Sequence, residues 1–364
     1  MHGFMKKLLG RSLGLGALVT TLCVAAPIPS GAATTISRDV SFQLTSVATF
    51  SKALLFPAGA DEYNNIYVVS LKKFASGSSQ LETFSIIKVT PSGSKTVVRT
   101  LVLPWTSTPD SFAVRGSYLY YSLTTTVNGH VGQALMSVDL NSTSDPQVYL
   151  TERRAGVGGS NTMVSAFKID PSTGTTYFLT TNLGTFKLRT VPMTNPTTPG
   201  KPHAVGRLIS AGAGSESPEG NLQISHHRIW MATRDAQSGT TGVINYPLPT
   251  QDGPITPTHS SISVADVQTT CGSDPCPTGA FTSAVGGAGG LIIYYGWNPD
   301  GSQETFTLHK NLSNGPDSTI LTSASGAVVV GTPNGTLYVV ESADIGGTEA
   351  NPVITGSGEI FRVS

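Results

Sequence analysis

The chain has 364 residues, 22 Lys and Arg against 22 Asp and Glu, and only 12% of its residues are charged. A balance this even and this sparse excludes a basic surface for nucleic acid, and it excludes the charge blocks of a disordered tail. Past the first 26 residues no uninterrupted apolar run approaches the roughly 18 residues of a membrane-spanning helix.

The N-terminus reads as a processing segment. Lys6, Lys7 and Arg11 form a positive start, residues 13–26 an apolar stretch, and Gly31 and Ala33 a small-residue cleavage site, so residues 1–33 are expected to be a secretory signal peptide. Cys23 follows Leu22 rather than a small residue, which argues against a lipid anchor. Cleavage removes three of the 22 cationic residues and no acidic one, which leaves 331 residues of net charge −3. The expectation is one exported domain over 34–364, with no membrane span.

Six β-rich phrases then follow in order. They are Asn65-Ile-Tyr-Val-Val, Tyr118-Leu-Tyr-Tyr-Ser, Thr176-Tyr-Phe-Leu-Thr, Arg228-Ile-Trp-Met-Ala, Leu291-Ile-Ile-Tyr-Tyr and Thr336-Leu-Tyr-Val-Val. Counted from Ile66, Leu119, Thr176, Ile229, Ile292 and Leu337, the spacings are 53, 57, 53, 63 and 45 residues. β-Branched and aromatic residues dominate each phrase and suit a pleated, buried surface. A loosely kept period of this size predicts a ring of blades, a β-propeller.

Flanking residues supply the other strands of each unit. In the second unit, strands are expected over 111–114, 118–123, 134–140 and 147–150, with turns at Gly116-Ser117 and 141–146. The first unit repeats this with 84–89, Pro91-Ser-Gly and 96–103, and the sixth with 327–330, Thr332-Pro-Asn-Gly and 336–340. No segment carries a capped 3.6-residue apolar period, so helix should be scarce.

The last unit runs out after a third strand at 359–363, while residues 40–45 alternate apolar and polar near the expected mature N-terminus. Pairing the two removes two open edges. The predicted fold is all-β, a six-bladed β-propeller with four-stranded blades, its ring closed by an N-terminal strand that completes the C-terminal blade.

In such a ring, loops between blades and loops between second and third strands gather at one mouth, the default ligand location. The expected mouth loops are 70–83, 104–111, 123–133, 153–163, 210–221, 233–241, 266–281, 296–305 and 341–358. Trp105, Trp297, Arg153 and Arg154 fall in them. Aromatic faces stack on sugars or anchor a protein, and Arg clamps carboxylates; the other reading wedges the tryptophans between blades.

Glu216-Ser-Pro-Glu-Gly-Asn221, followed by His226-His227-Arg228-Ile-Trp-Met-Ala, resembles one blade of the gluconolactonase and NHL-type six-bladed propellers. In the lactonase group, a glutamate and polar residues from several blades hold a divalent cation. Oxygen-only ligands suit Ca²⁺, which polarises a lactone carbonyl. The resemblance, confined to residues 216–232, implies Glu219 as a ligand and names no companion. Alternatively, Glu219 shapes a blade's entry turn.

Other motifs point to structure. Cys271 and Cys276 are expected to form a small-loop disulfide in an oxidising compartment. Adjacent His226 and His227 on a strand would face opposite sides and cannot share one ion. Asn298-Pro-Asp-Gly-Ser-Gln-Glu304 lacks the alternating carboxylates of a calcium loop. Sequons stand at Asn141, Asn311 and Asn334. A Gly-x-Ser-x-Gly elbow, a His-Glu-x-x-His pair and a Walker loop are absent from the sequence.

The reading is therefore an extracellular or periplasmic monomer that binds a glycan or an envelope or extracellular protein through its mouth, Trp105, Arg153, Arg154, Glu216, Glu219 and Trp297 being its candidate contacts. It expects no cofactor. The alternative is a lactonase-like propeller hydrolase or lyase that uses Ca²⁺.

Overall fold

The computed structural model describes residues 43–74, 81–104, 112–127, 130–151, 162–182, 185–199, 203–210, 216–225, 227–235, 241–248, 258–264, 270–271, 274–275, 281–286, 291–297, 306–312, 318–323, 327–348 and 351–364. Among these residues every regular element is a strand.

Strand β1 (Leu44–Ser51) opens the described chain. A first sheet follows, made of β2 (Leu54–Ala60), β3 (Ile66–Leu71), β4 (Leu81–Val89) and β5 (Lys95–Pro104). The second has β6 (Phe112–Arg115), β7 (Tyr118–Val127), β8 (His130–Asp139) and β9 (Gln147–Thr151). In the third, β10 (Thr162–Ile169), β11 (Thr176–Asn182) and β12 (Thr185–Val191) are followed by a small hairpin, β13 (Met193–Asn195) and β14 (Thr198–Pro199), before β15 (His203–Ser210). The fourth comprises β16 (Glu216–Ser225), β17 (Arg228–Asp235), β18 (Thr241–Pro247) and β19 (Thr258–Val264).

A two-residue ladder, β20 (Thr270–Cys271) with β21 (Asp274–Pro275), precedes the fifth sheet of β22 (Phe281–Gly286), β23 (Leu291–Trp297), β24 (Phe306–Leu312) and β25 (Ser318–Ser323). The sixth begins with β26 (Ala327–Gly331) and β27 (Leu337–Glu341). After a hairpin, β28 (Asp344–Thr348) with β29 (Asn351–Thr355), it continues with β30 (Ser357–Val363) and takes β1 as its fourth strand. Each of the six sequence phrases is the second strand of a four-stranded antiparallel sheet.

The innermost strands touch in sequence: β2 lies against β6, β6 against β10, β10 against β16, β16 against β22, β22 against β26, and β26 against β2. The arrangement of sheets is propeller-like. Alternation along each second strand explains why the phrases are apolar on both faces. Ile66 and Val68 pack between the sixth and first sheets with Phe50 and Tyr338, while Tyr67, Val69 and Leu71 pack between the first and second with Phe112 and Tyr121. Tyr120 points the other way, into a cluster with Tyr149, Phe167 and Val191 of the second and third sheets. A strand buried on both faces reads as a continuous apolar run.

Three expectations need correction. The strand that joins the C-terminal sheet runs well past the expected 40–45: Gln43 exchanges backbone hydrogen bonds with Ser364, Leu44 faces Val363, Ser51 faces Ser357, and residues 40–42 lie outside the described region. The extension to Ser51 supplies Ala48 and Phe50, both buried against the first sheet. Second, the expected loop 123–133 is mostly ladder, with β7 and β8 paired out to Val127 and His130. Third, 341–358 holds a hairpin rather than a plain loop.

Side chains tie neighbouring sheets together at the rim. The Arg99 guanidinium on β5 donates to the carbonyls of Asp139, Ser142 and Ser144 in the turn before β9. Lys95, on the same strand, donates to Thr49 O at 2.7 Å and sits 5.0 Å from the Phe50 ring centroid. Gly93 lets the β4–β5 turn approach β1, since a Cβ there would lie 2.3 Å from Val47 O.

Candidate functional site

The two ends of the sheets are built differently. At one end, four connections use the same backbone device: an N–H closes onto a carbonyl four or five residues on, and the residue before that carbonyl takes positive φ. The pairs are Asp61 N to Asn65 O (3.1 Å), Thr90 N to Ser94 O (3.0 Å), Asp170 N to Thr175 O (2.9 Å) and Thr332 N to Thr336 O (3.0 Å). The positive-φ residues are Asn64, Gly93, Gly174 and Gly335, types that tolerate the left-handed region. Side chains lock these turns. Asp61 accepts from Tyr63 N and Asn65 N, each at 2.9 Å, and Asp170 accepts from Ser172 N at 3.0 Å and Thr173 Oγ1 at 2.7 Å.

At this end the connections between first and second strands have at most six residues and those between third and fourth strands at most 11, whereas at the other end the connections between sheets reach 16, between Val264 and Phe281. This other end is the one expected to form the mouth. Its best-described feature is the β28–β29 hairpin. Ile345 faces Ile354 across the ladder, and both pack onto the cluster of the first and second sheets that contains Leu54, Phe74 and Phe112. Val353, opposite Gly346, is 52% exposed. The hairpin thus has an apolar underside and an open upper side. Its root is grafted onto β2: the Ser342 hydroxyl accepts from Leu55 N at 2.8 Å and donates to Leu55 O at 2.9 Å, and Ala343 N donates to Ala53 O at 3.1 Å.

The candidate contacts divide as follows. Trp105, Arg153 and Arg154 lie outside the described residues. Glu216 and Glu219, expected in a loop, belong to strand β16, where Glu216 faces Asp235 and Glu219 faces Ala232; the register slips between Glu219 and Gln223. Trp297 ends β23 opposite Phe306, so it belongs to a strand end rather than a loop. Cys271 faces Asp274, and Cys276 lies outside the described residues. His227 is a turn residue at φ 56°, not a strand neighbour of His226, which is outside the described residues. The turn is favoured because Leu248 N donates to His227 O at 2.9 Å.

Sequence reasoning missed the buried charges. Lys168, on β10, is buried, and its ammonium donates to Phe112 O on β6 at 3.0 Å. Desolvation lowers its pKa to about 8. Arg115, at the end of β6, reaches the third sheet, where its guanidinium occupies the space a Cβ on Gly174 would need and Nη1 donates to Met193 Sδ at 3.0 Å. Tyr120 donates to Pro196 O at 2.8 Å in the same contact. A polar residue inside an apolar strand, such as Lys168 in Ala-Phe-Lys-Ile, was the signal available. Among the described residues no three His, Cys, Asp or Glu side chains gather to hold a metal ion, and no helix is long and apolar enough to cross a membrane.

No family model matches the chain, and no curated protein matches it in sequence. Solved structures are similar in fold. The hemagglutinin-neuraminidase ectodomain of parainfluenza virus 5 superposes with a TM-score of 0.50 at 11% identity, over 91% of this chain and 86% of that one. The phage phi92 endosialidase gives 0.48 at 11% identity, over 88% and 69%. A prolyl endopeptidase gives 0.44 at 12% identity over 87% of this chain, which spans only 40% of that enzyme's length. Together with the sheet arrangement, the likeness to the hemagglutinin-neuraminidase ectodomain indicates a β-propeller.

Proposed function

We propose that residues 34–364 form an exported six-bladed propeller, closed by the β1–β30 pairing, whose mouth binds a glycan or a protein in the envelope or outside the cell. The observation that carries this reading is the contrast between the ends. One is sealed at every first-to-second connection by a turn of at most six residues, with Asp61 and Asp170 engaged by their own backbone, and the other carries the two longest connections, between Val264 and Phe281 and between Glu341 and Ser357, the second bearing the open hairpin. Side chains free to meet a ligand therefore concentrate at the mouth. The cyclic order of inner-strand contacts and the β1–β30 ladder support ring closure.

On this reading Trp105, Trp297, Arg153 and Arg154 contact the ligand, Cys271 and Cys276 pair as a disulfide, and the protein acts as a monomer. The test is a glycan array probed with residues 34–364 and with the Trp105→Ala/Trp297→Ala variant, beside a lactone-hydrolysis assay with and without Ca²⁺. Retention of one glycan class, lost by the variant at an unchanged melting temperature, is the expected result. Lactone turnover would overturn the binding reading in favour of the lactonase-like one, in which Glu219 serves as a Ca²⁺ ligand.

A further inference from the structure

The contact between the second and third sheets holds buried polar atoms that have no hydrogen-bond partner among the described residues. Arg115 Nε, the Tyr149 hydroxyl and Thr176 Oγ1 are all buried without a well-formed hydrogen bond. Tyr149 is 1% exposed and Thr176 0%. They converge. The Tyr149 ring lies edge-on to Tyr120 with centroids 5.2 Å apart, and the Tyr120 hydroxyl and Arg115 Nη1 both approach Met193 Sδ, at 3.7 and 3.0 Å. Thr176 opens β11 opposite Ile169 and Val191, which pack in one cluster with Tyr149 and Tyr120.

Among the described residues, the only hydrogen-bond acceptor of Arg115 is the Met193 thioether, a weak one. A guanidinium held in an apolar contact without an anionic partner is costly, as is each orphaned hydroxyl. Burial raises the Tyr149 pKa, and the Thr176 hydroxyl and the Arg115 charge act on it in the opposite sense, which puts both groups beside the Tyr149 hydroxyl.

We infer that the second and third sheets enclose a small-anion site of the halide class, held by Arg115 Nε, the Tyr149 O–H and the Thr176 O–H. A single compact anion accepts from all three at once and neutralises the guanidinium. The site is independent of the mouth, since Arg115 ends β6 and its guanidinium lies over the Gly174 turn, one of the short turns of the sealed end. It joins two neighbouring sheets and makes their association depend on the anion.

The experiment uses residues 34–364 at fixed ionic strength, with potassium chloride or bromide replacing potassium gluconate. Wild type is expected to show a saturable rise in melting temperature with halide. Arg115→Met loses the response. Tyr149→Phe and Thr176→Val, which keep shape and fold, each weaken apparent halide affinity roughly tenfold, the loss expected for one hydrogen bond to a charged group. Crystals soaked in bromide should show anomalous density against Arg115 Nε. A melting temperature indifferent to halide, Tyr149→Phe and Thr176→Val proteins that respond as wild type does, or a bromide-soaked crystal with only water at this position, each overturns the site.

Discussion

The Ser342 hydroxyl satisfies both backbone groups of Leu55, accepting from its N–H at 2.8 Å and donating to its carbonyl at 2.9 Å, across 287 residues of sequence. One side chain of the sixth sheet thereby does for β2 what a neighbouring strand would do. Ser342→Ala leaves a donor and an acceptor of Leu55 without partners. It should lower unfolding free energy by about 1–3 kcal/mol, read from urea midpoints at unchanged slope. Ser342→Thr, which keeps the hydroxyl, should recover most of the loss.

Two glycines of the same backbone type should respond differently to a methyl group. Gly93 (φ 89°) would place a Cβ 2.3 Å from Val47 O, whereas Gly116 (φ 54°) has nothing within 4 Å. Gly116→Ala should therefore cost only the left-handed strain of about 1 kcal/mol. Gly93→Ala adds a backbone collision between β1 and the first sheet and should cost at least twice as much. Equal melting temperatures for the two variants would mean that β1 is not held against that turn.

Lys168 predicts a pH dependence with a definite sign. Its folded pKa is about 8 against an ordinary value of 10.5, so between those values the unfolded chain binds more protons than the folded one. Stability then rises with pH through that window, by about 3–4 kcal/mol if the group titrates fully. Above pH 10 the buried tyrosines, whose pKa values are raised by burial and include Tyr121 at about 12, act in the opposite direction. Urea midpoints should climb from pH 7 to pH 10 in wild type and stay nearly flat in Lys168→Met; parallel curves would remove Lys168 as the cause.

Calcium should leave the protein unmoved. Any ligand selective for the native state raises the melting temperature, so saturating Ca²⁺ is expected to shift neither wild type nor Glu219→Gln. A shift in wild type that the variant lacks would transfer the mouth to the lactonase-like reading.

Legibility in the sequence followed the range of the interaction. Ile66-Tyr-Val-Val and Leu337-Tyr-Val-Val announced second strands because both of their faces are buried, and that leaves one long apolar phrase. Thr332-Pro-Asn-Gly announced a turn because its hydrogen bonds close within five residues. The 40–45 stretch pointed to the right partner through Leu44 and Thr45 but not to the strand's extent, because the continuation to Ser51 depends on the packing of Ala48 and Phe50 against the first sheet. Glu216 and Glu219 fall in the expected loop 210–221, yet β16 starts at Glu216 and its ladder with β17 runs through Pro218.

Composition and local pattern alone determined that this chain would be made of short antiparallel strands with Gly- and Asn-bearing turns, because strand preference and turn chemistry act over a few residues. Which sheet meets which was decided in three dimensions. The pairing of Leu44 with Val363, the reach of Arg115 to Met193 and the burial of Lys168 under Phe112 O each join positions dozens to hundreds of residues apart, and no local signal encodes a partner that only the closing of sheets brings near.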